Sequence, residues 1–254
     1  MTTPLVRVED AGTVTRITLD RPAKRNALSL ALMQQLTAAL RGAAGSVVVL
    51  AGAGPCFSAG HDLAEIAGGD AADHVRIFAA CTELMETVQS IRQPVIAEVH
   101  GVATAAGCQL VASCDLAGAE SGARFGTPGV KIGLFCSTPM VPLSRAIGPK
   151  RAMEMLLTGD LVDAATAADW GLLNRVVAPG ELPAAVADLA AKVAAASPLT
   201  IAIGKRTFWR QVGLDQHQAY DLAAATMVAN AATADAREGI GAFLGKRPPV
   251  WTGA

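Results

Sequence analysis

Polar and apolar residues alternate over positions 5–9 and again over 13–19, on either side of Asp10-Ala11-Gly12. Period-two alternation around a turn that offers a residue tolerant of positive φ predicts a β-hairpin. The run Asp20-Arg21-Pro22-Ala23-Lys24-Arg25-Asn26 breaks the pattern. After Ser29, a candidate N-cap, Leu32, Met33, Leu36 and Leu40 recur at helical spacing. Residues 47–50 form a β-branched run bounded by glycines, which predicts a buried strand. Strand, helix and strand in succession point to an α/β layer.

Glycine, proline and serine crowd positions 52–60 and mark a loop; residues 62–66 begin a short helix before the Gly68-Gly69-Asp70 break. Over 74–92, Val75, Phe78, Cys81, Leu84, Met85, Val88 and Ile91 keep the helical period until Pro94 ends it. A short apolar strand over 95–99, the His100-Gly101 turn and an apolar helix over 105–113 follow. Strand, tight turn and buried helix point backbone N–H groups into a pocket. Residues 125–142, with Pro128, Gly129, Gly133, Pro139 and Pro142 among them, are expected to be a loop, followed by a helix over 150–158. Four Ala-rich helices are expected over 183–196, 199–211, 214–230 and 233–244, with no flexible linker before them. The expected organisation is an α/β core over 1–195 followed by a helical region over 196–254.

Composition narrows the function classes. With 52% apolar and 17% charged residues the chain lies far from the polar balance that keeps chains disordered. Its longest apolar runs are nonetheless far short of the ~18 residues that a membrane helix needs. A net charge of -1, from 21 basic and 22 acidic residues, gives no field to recruit a polyanion, so nucleic acid is not an expected partner. The first residues show no leader composition, and a cytoplasmic location is expected. Cys56, Cys81, Cys108, Cys114 and Cys136 form no CxxC or Cys/His cluster, so reduced thiols and no metal site are expected.

Gly52-Ala53-Gly54 begins like a dinucleotide fingerprint but puts Phe57 at the sixth position and Pro55 in the turn. His61, His74, His100 and His217 lack metal-ligand spacing, and Ser58, His61 and Asp62 are too close in one short loop to form a triad. His61 and His100 each border a glycine turn and are the two histidines of interest.

Two segments together carry more information. Cys56-Phe57-Ser58-Ala59-Gly60-His61-Asp62-Leu63 resembles the FxAGxDL signature of the crotonase (enoyl-CoA hydratase/isomerase) superfamily. His100-Gly101-Val102-Ala103-Thr104-Ala105-Ala106-Gly107-Cys108-Gln109-Leu110 resembles its second glycine-rich segment. Arg25-Asn26-Ala27-Leu28, Phe125-Gly126-Thr127-Pro128, Met155-Leu156-Leu157-Thr158-Gly159 and Ala242-Phe243-Leu244-Gly245-Lys246-Arg247 extend the resemblance over nearly the whole chain. Within the superfamily, residues 103–115 and 133–139 are similar to the enoyl-CoA hydratase domain-containing protein three type. The resemblance implies a spiral of ββα units with a C-terminal helical trimerisation region. It also implies an acyl-CoA or enoyl-CoA thioester as ligand, with coenzyme A entering as part of the substrate and no separate cofactor. A homotrimer or a dimer of trimers is implied as well, and a helix apolar over much of its circumference, such as 222–232, is consistent with partners on several sides.

By that resemblance the thioester oxygen meets two backbone N–H donors, Ala59 and Ala106, and such a preorganised donor is worth about 3 to 4 kcal/mol of barrier. Arg25 is placed near the CoA phosphates, Gly60 and His61 along the adenine and pantetheine path, and Lys246 towards a neighbouring subunit's CoA. Hydratases of the superfamily also use two glutamates. Here Gln109 stands at the first position and Gly129 at the second, and an amide does not exchange protons near neutral pH. Each general acid or base contributes roughly 10² to 10⁴ in rate. Cys136 and Ser137, then His61, then Glu65, Glu98 or Asp62 are the alternatives for proton transfer, with Glu98 on a buried strand expected to pair with an arginine. A hydratase/isomerase-type enzyme, a non-catalytic acyl-CoA binder, and hydrolysis through Cys136 or Ser137 are the functional readings left open.

Overall fold

The computed structural model describes residues 4–254. Strands β1 (Val6–Ala11) and β2 (Val14–Leu19) form the expected antiparallel hairpin, with Gly12 at φ 63° in its turn. Ser29 caps α1 (Leu30–Arg41) by accepting the Leu32 N–H, and Leu32, Met33, Leu36 and Leu40 are buried. After β3 (Val47–Gly52) come α2 (Leu63–Gly68), capped by Asp62, and α3 (Ala71–Ser90). Helix α3 begins three residues before the apolar period predicts, because Asp70 and Asp73 form a reciprocal cap that satisfies the N–H of each. Its end at Ser90 precedes the predicted 92 because Ile91 has turned to extended backbone on the approach to Pro94.

The chain then alternates between two sheets. Strand β4 (Val95–Val99) joins the first, β5 (Val102–Thr104) the second, and α4 (Ala106–Ser113) follows. The next turn repeats this with β6 (Leu116–Glu120) and β7 (Arg124–Gly126), a 3-10 turn over Pro128–Ile132, α5 (Met140–Ala146) and α6 (Pro149–Thr158). Strand β8 (Val162–Asp163), α7 (Ala164–Asp169) and β9 (Arg175–Val177) close the sheets. The first sheet runs β1-β2-β3-β4-β6-β9, parallel beyond the hairpin; the second runs β5-β7-β8. Part of the expected 125–142 loop is therefore strand and helix. Pro139 caps α5 and Pro142 lies in its first turn, where a missing N–H costs nothing.

Strand β3 is apolar without alternation because both of its faces are covered. Val48 and Leu50 pack in the main core with Leu36 and Leu40 of α1 and Leu84 and Val88 of α3. Val47 and Val49 pack with Ile96 and with Leu182, Val186 and Ala190 of α8 (Leu182–Ala194) on the other face. Glu98 of β4 pairs with Arg16 of β2 through two hydrogen bonds of 2.5 and 3.0 Å, the arginine partner expected of it. Helices α9 (Pro198–Gln211), α10 (Gln216–Ala231) and α11 (Ala234–Leu244) complete the chain.

Helix α9 is fastened to the core by a buried charge. Lys205 Nζ donates to the Val88 and Gln93 carbonyls, both at 2.7 Å, and lies 2.8 Å from Asp115 Oδ2. Asp115 also accepts from the Val95 N–H and from Trp209 Nε1. Burial lowers the Lys205 pKa, and the Asp115 charge opposes it. At the far end, buried Asp235 accepts from Ser197 Oγ, from the Thr252 N–H and hydroxyl, and from the Gly253 N–H.

Candidate functional site

The site is built by main-chain stitching between three segments distant in sequence. Arg25 and Asn26 both adopt left-handed backbone, at φ 50° and 51°, which turns their carbonyls towards the 56–62 loop. Buried Asn26 donates from Nδ2 to the Ala53 and Cys56 carbonyls, and its own carbonyl accepts from Ser58 Oγ. The Leu28 N–H reaches the Gly60 carbonyl at 2.7 Å, and the Asp62 N–H reaches the Leu28 carbonyl at 3.3 Å. On its other side the loop pairs with β5: the Ser58 N–H bonds the Val102 carbonyl, and the Thr104 N–H bonds the Ser58 carbonyl.

Close approach here explains two glycines. A Cβ on Gly60 would lie 2.9 Å from the Thr104 carbonyl oxygen, and one on Gly107 would lie 2.4 Å from the Ser58 carbonyl oxygen. Gly60 also holds φ 95°, a conformation that L side chains rarely adopt. Ala105, ahead of α4, is the strained member at φ 49° and ψ -118°, held by its N–H bond of 2.8 Å to the Gly126 carbonyl. Such backbone costs on the order of 1 to 3 kcal/mol and is often found at functional sites.

These bonds decide which amides remain open. The Ala59 N–H donates to the Arg25 carbonyl at 3.0 Å. The expected donor role of Ala59 is thereby corrected, since its hydrogen is already used in holding the Arg25-Asn26 turn. Among the described residues, the main-chain N–H groups of His61 and Ala106 donate to no protein acceptor. Ala106 is the first residue of α4, where N–H groups have no partner inside the helix and the helix dipole is positive. His61 and Ala106 line one cavity of about 560 Å³, walled by Leu63, Ile66, Phe78, Ile132, Leu134 and Phe135.

The polar content of that cavity is small. Both ring nitrogens of His61 are buried without a hydrogen-bond partner, the only buried side-chain nitrogens or oxygens so left among the described residues. An unsatisfied buried polar group costs about 1 to 3 kcal/mol. Burial pulls the His61 pKa below its ordinary value, against a smaller opposing contribution from the Leu28 backbone. Phe78 meets the imidazole edge to face, with ring centres 5.4 Å apart. Cys136 also lines the cavity, but burial raises its pKa, so it stays a thiol rather than the thiolate that a nucleophile or base requires. Ser137 lines the wall with its hydroxyl 3.4 Å from the Phe135 carbonyl, and Lys131 pairs with Asp160 at 2.7 Å.

The remaining expected positions divide sharply. Gly129 lines the cavity, yet a Cβ there would lie 2.1 Å from the Leu134 carbonyl oxygen and 2.8 Å from Cys136 Sγ. The 134–136 loop fills the space that any side chain at 129 would need. Gln109, 4% exposed, does not line this cavity; it lines an adjoining one of about 260 Å³ with Glu86 and Arg145, and Thr138 borders both. Its Oε1 lies 3.7 Å from Cys81 Sγ. Arg25 is exposed beside the stitched turn with no ion pair among the described residues. Lys246 is exposed and lies beyond the end of α11, not in it, with left-handed backbone at φ 52°. It does not line the cavity. Glu65 turns to the Leu30 N–H, and Asp62 to Arg21 at 2.7 Å. His100 Nε2 bonds the Gly54 carbonyl and is not part of the cavity wall.

Two wall elements escaped the sequence reading. Phe78 is a helical-period residue whose ring faces a cavity, and nothing in the period distinguishes it from a core position. Leu134 and Phe135 carried a signal: two large apolar residues side by side in a glycine- and proline-rich loop, 40% and 39% exposed.

The enoyl-CoA hydratase/isomerase family model matches residues 9–254. The chain belongs to the enoyl-CoA hydratase/isomerase family. A crystal structure of enoyl-CoA hydratase from Mycobacterium smegmatis is 46% identical, superposes with a TM-score of 0.94, and the match covers 98% of this chain and 99% of that one. The crystal structure of human enoyl coenzyme A hydratase domain-containing protein 3 is 42% identical with the same TM-score, covering 98% of this chain and 100% of that one. The rat mitochondrial protein of the same name is 44% identical over 94% of this chain and 81% of its own length. The fold is therefore the crotonase fold of this family, and within the family the chain is of the domain-containing protein 3 type. One expectation is overturned: the rat and human relatives, at 44% and 45% identity, are both named as mitochondrial proteins, against the cytoplasmic location expected from the first residues.

Proposed function

We propose that this hydratase/isomerase family member binds an acyl-CoA thioester in the 560 Å³ cavity and polarises its carbonyl with the N–H groups of His61 and Ala106. The observation that carries this is that the main-chain N–H groups of His61 and Ala106, which have no protein acceptor among the described residues, belong to residues on the wall of one apolar cavity. A donor that is already aligned needs no reorganisation when charge develops on the thioester oxygen, and losing one costs about 10² to 10³ in rate. The acyl chain lies along Leu63, Ile66, Phe78 and Leu134, which suit an aliphatic tail. Arg25, exposed and unpaired among the described residues, is available to the CoA phosphates.

Ordinary hydration has little support in this cavity. Position 129 has no room for a carboxylate, and Gln109 faces elsewhere. That favours a second reading, an acyl-CoA binder without turnover. Calorimetric titration with crotonyl-CoA and a longer enoyl-CoA, followed by an assay for loss of the enoyl absorbance, separates the two. Binding with turnover supports the enzyme, binding alone supports the second reading, and absence of binding removes both.

The chain also has a surface suited to self-association. No residue of α10 is buried, and Tyr220, Met227 and Val228 of α10 and Ile240, Phe243 and Leu244 of α11 are exposed. A homotrimer, alone or doubled, would cover these apolar faces and carry Lys246 towards a neighbouring copy. Light scattering on the purified chain measures this directly.

A further inference from the structure

We propose that the His61 imidazole is the proton carrier of this site, taking a proton from the α-carbon of the bound thioester and returning it. The inference rests on the thioester reading above and goes beyond it by assigning the acid/base group. His61 is a single residue with two parts at the cavity: its N–H has no protein acceptor, and its ring nitrogens are the only buried side-chain nitrogens or oxygens without a hydrogen-bond partner among the described residues. The α-carbon is bonded directly to the carbonyl carbon whose oxygen the amide would hold. The donor that would hold the oxygen and a base for the neighbouring carbon are therefore carried by one residue. Phe78 fixes the ring edge to face, and burial keeps the imidazole neutral, with a lone pair free to accept.

Among the described residues, no other titratable group at or beside the cavity is free to compete. From the 128–138 loop, Lys131 is paired with Asp160 and Cys136 remains a protonated thiol. From the loop before α2, Asp62 is paired with Arg21; from α2, Glu65 accepts the Leu30 N–H. From α3, His74 is bonded to the Ile66 carbonyl. From α4, Gln109 lines the adjoining cavity.

The step balances within these atoms. The α C–H bond breaks, its electron pair passes into the enolate with charge on the thioester oxygen between the two amides, and the proton adds to the imidazole nitrogen. When the imidazolium proton is replaced by one from solvent before its return to the same carbon, the result is exchange at that carbon; return to the γ-carbon of a suitable enoyl chain gives a double-bond shift. Neither outcome requires a second carboxylate to activate water, which is the part this cavity lacks.

The test uses the full chain with butyryl-CoA in deuterated buffer, following deuterium uptake at the α-carbon by mass spectrometry, with binding measured in parallel by calorimetry. The expected result is exchange well above the buffer rate, rising with pH to a plateau through a midpoint below the ordinary histidine value of about 6.5. His61→Gln should lower exchange at least 100-fold with the dissociation constant changed by less than threefold. Should His61→Gln fail to fold, His61→Ala, checked by thermal melting, should regain exchange on addition of free imidazole. Binding without exchange in the native chain, or equal exchange in His61→Gln, overturns the assignment and leaves the thioester cradle standing. Failure of butyryl-CoA to bind the native chain overturns both.

Discussion

Ala105 is an alanine in a conformation that suits glycine, at φ 49° and ψ -118°. Replacing it by glycine removes the Cβ penalty at the cost of a more mobile unfolded chain. Ala105→Gly is expected to stabilise the protein by about 1 kcal/mol and raise the melting temperature by about 2 to 4 °C, measured by thermal unfolding of the two chains side by side. Gly129 presents the opposite case. With the Leu134 carbonyl oxygen 2.1 Å from the place of a Cβ, Gly129→Ala must displace the 134–136 loop. A loss of about 1 to 3 kcal/mol is expected, together with weaker acyl-CoA binding in calorimetry. Gly129→Glu, which restores the residue type missing from the sequence, is expected to damage the cavity and not to generate hydration. At this scale the sequence was informative about which residues matter and misleading about one role. The FxAGxDL match brought Ala59 and His61 together, but a letter pattern does not reveal which N–H is used by a carbonyl 34 residues earlier in the chain.

Among elements, α9 depends on Lys205. Its ammonium has three acceptors and is buried with Asp115, so removing one partner leaves the other charge without compensation. Lys205→Met is expected to cost about 3 to 5 kcal/mol, read from urea denaturation, with Asp115→Asn in the same chain recovering part of the loss. The final helix behaves differently. The Ser197 hydroxyl and the Thr252 and Gly253 donors hold Asp235 at about 2, and Arg247 with the Val250 N–H holds Glu238 at about 2. Both folded values lie below the unfolded values of about 3.9 and 4.3. Their stabilisation is complete above the unfolded range and is lost as pH falls towards 2. Urea midpoints measured at steps from pH 6 down to pH 2 should decline across that window, and less so in Asp235→Asn, which starts from a lower value. Helix spacing and caps made most elements legible in advance. Strand β6 and the short strands β5, β7, β8 and β9 were not: two or three residues cannot display a period, and Leu116-Ala117-Gly118-Ala119-Glu120 holds no β-branched or aromatic residue to mark a strand.

For the whole molecule, α10 and α11 leave apolar side chains exposed, which the proposed association with further copies would cover. Val228 is 74% and Phe243 82% exposed. A charged residue at either position would disfavour burial against another copy. Val228→Lys and Phe243→Asp are expected to lower the mass measured by light scattering while leaving the circular dichroism of the core unchanged. The helical character of this region was legible from its alanine-rich sequence, as was the absence of a polar face on α10.

The proposed thioester cradle is held in large part by peptide groups: Leu28 to Gly60, Ser58 to Val102, Ala59 to Arg25 and Ala105 to Gly126. Main-chain bonds survive substitution of the side chains they carry. The residues that would move protons can therefore be exchanged one at a time while the grip on the carbonyl persists. On the proposed reading, substrate capture and bond chemistry are separable in this chain, so that new reactions of the same thioester could arise without first rebuilding its binding site.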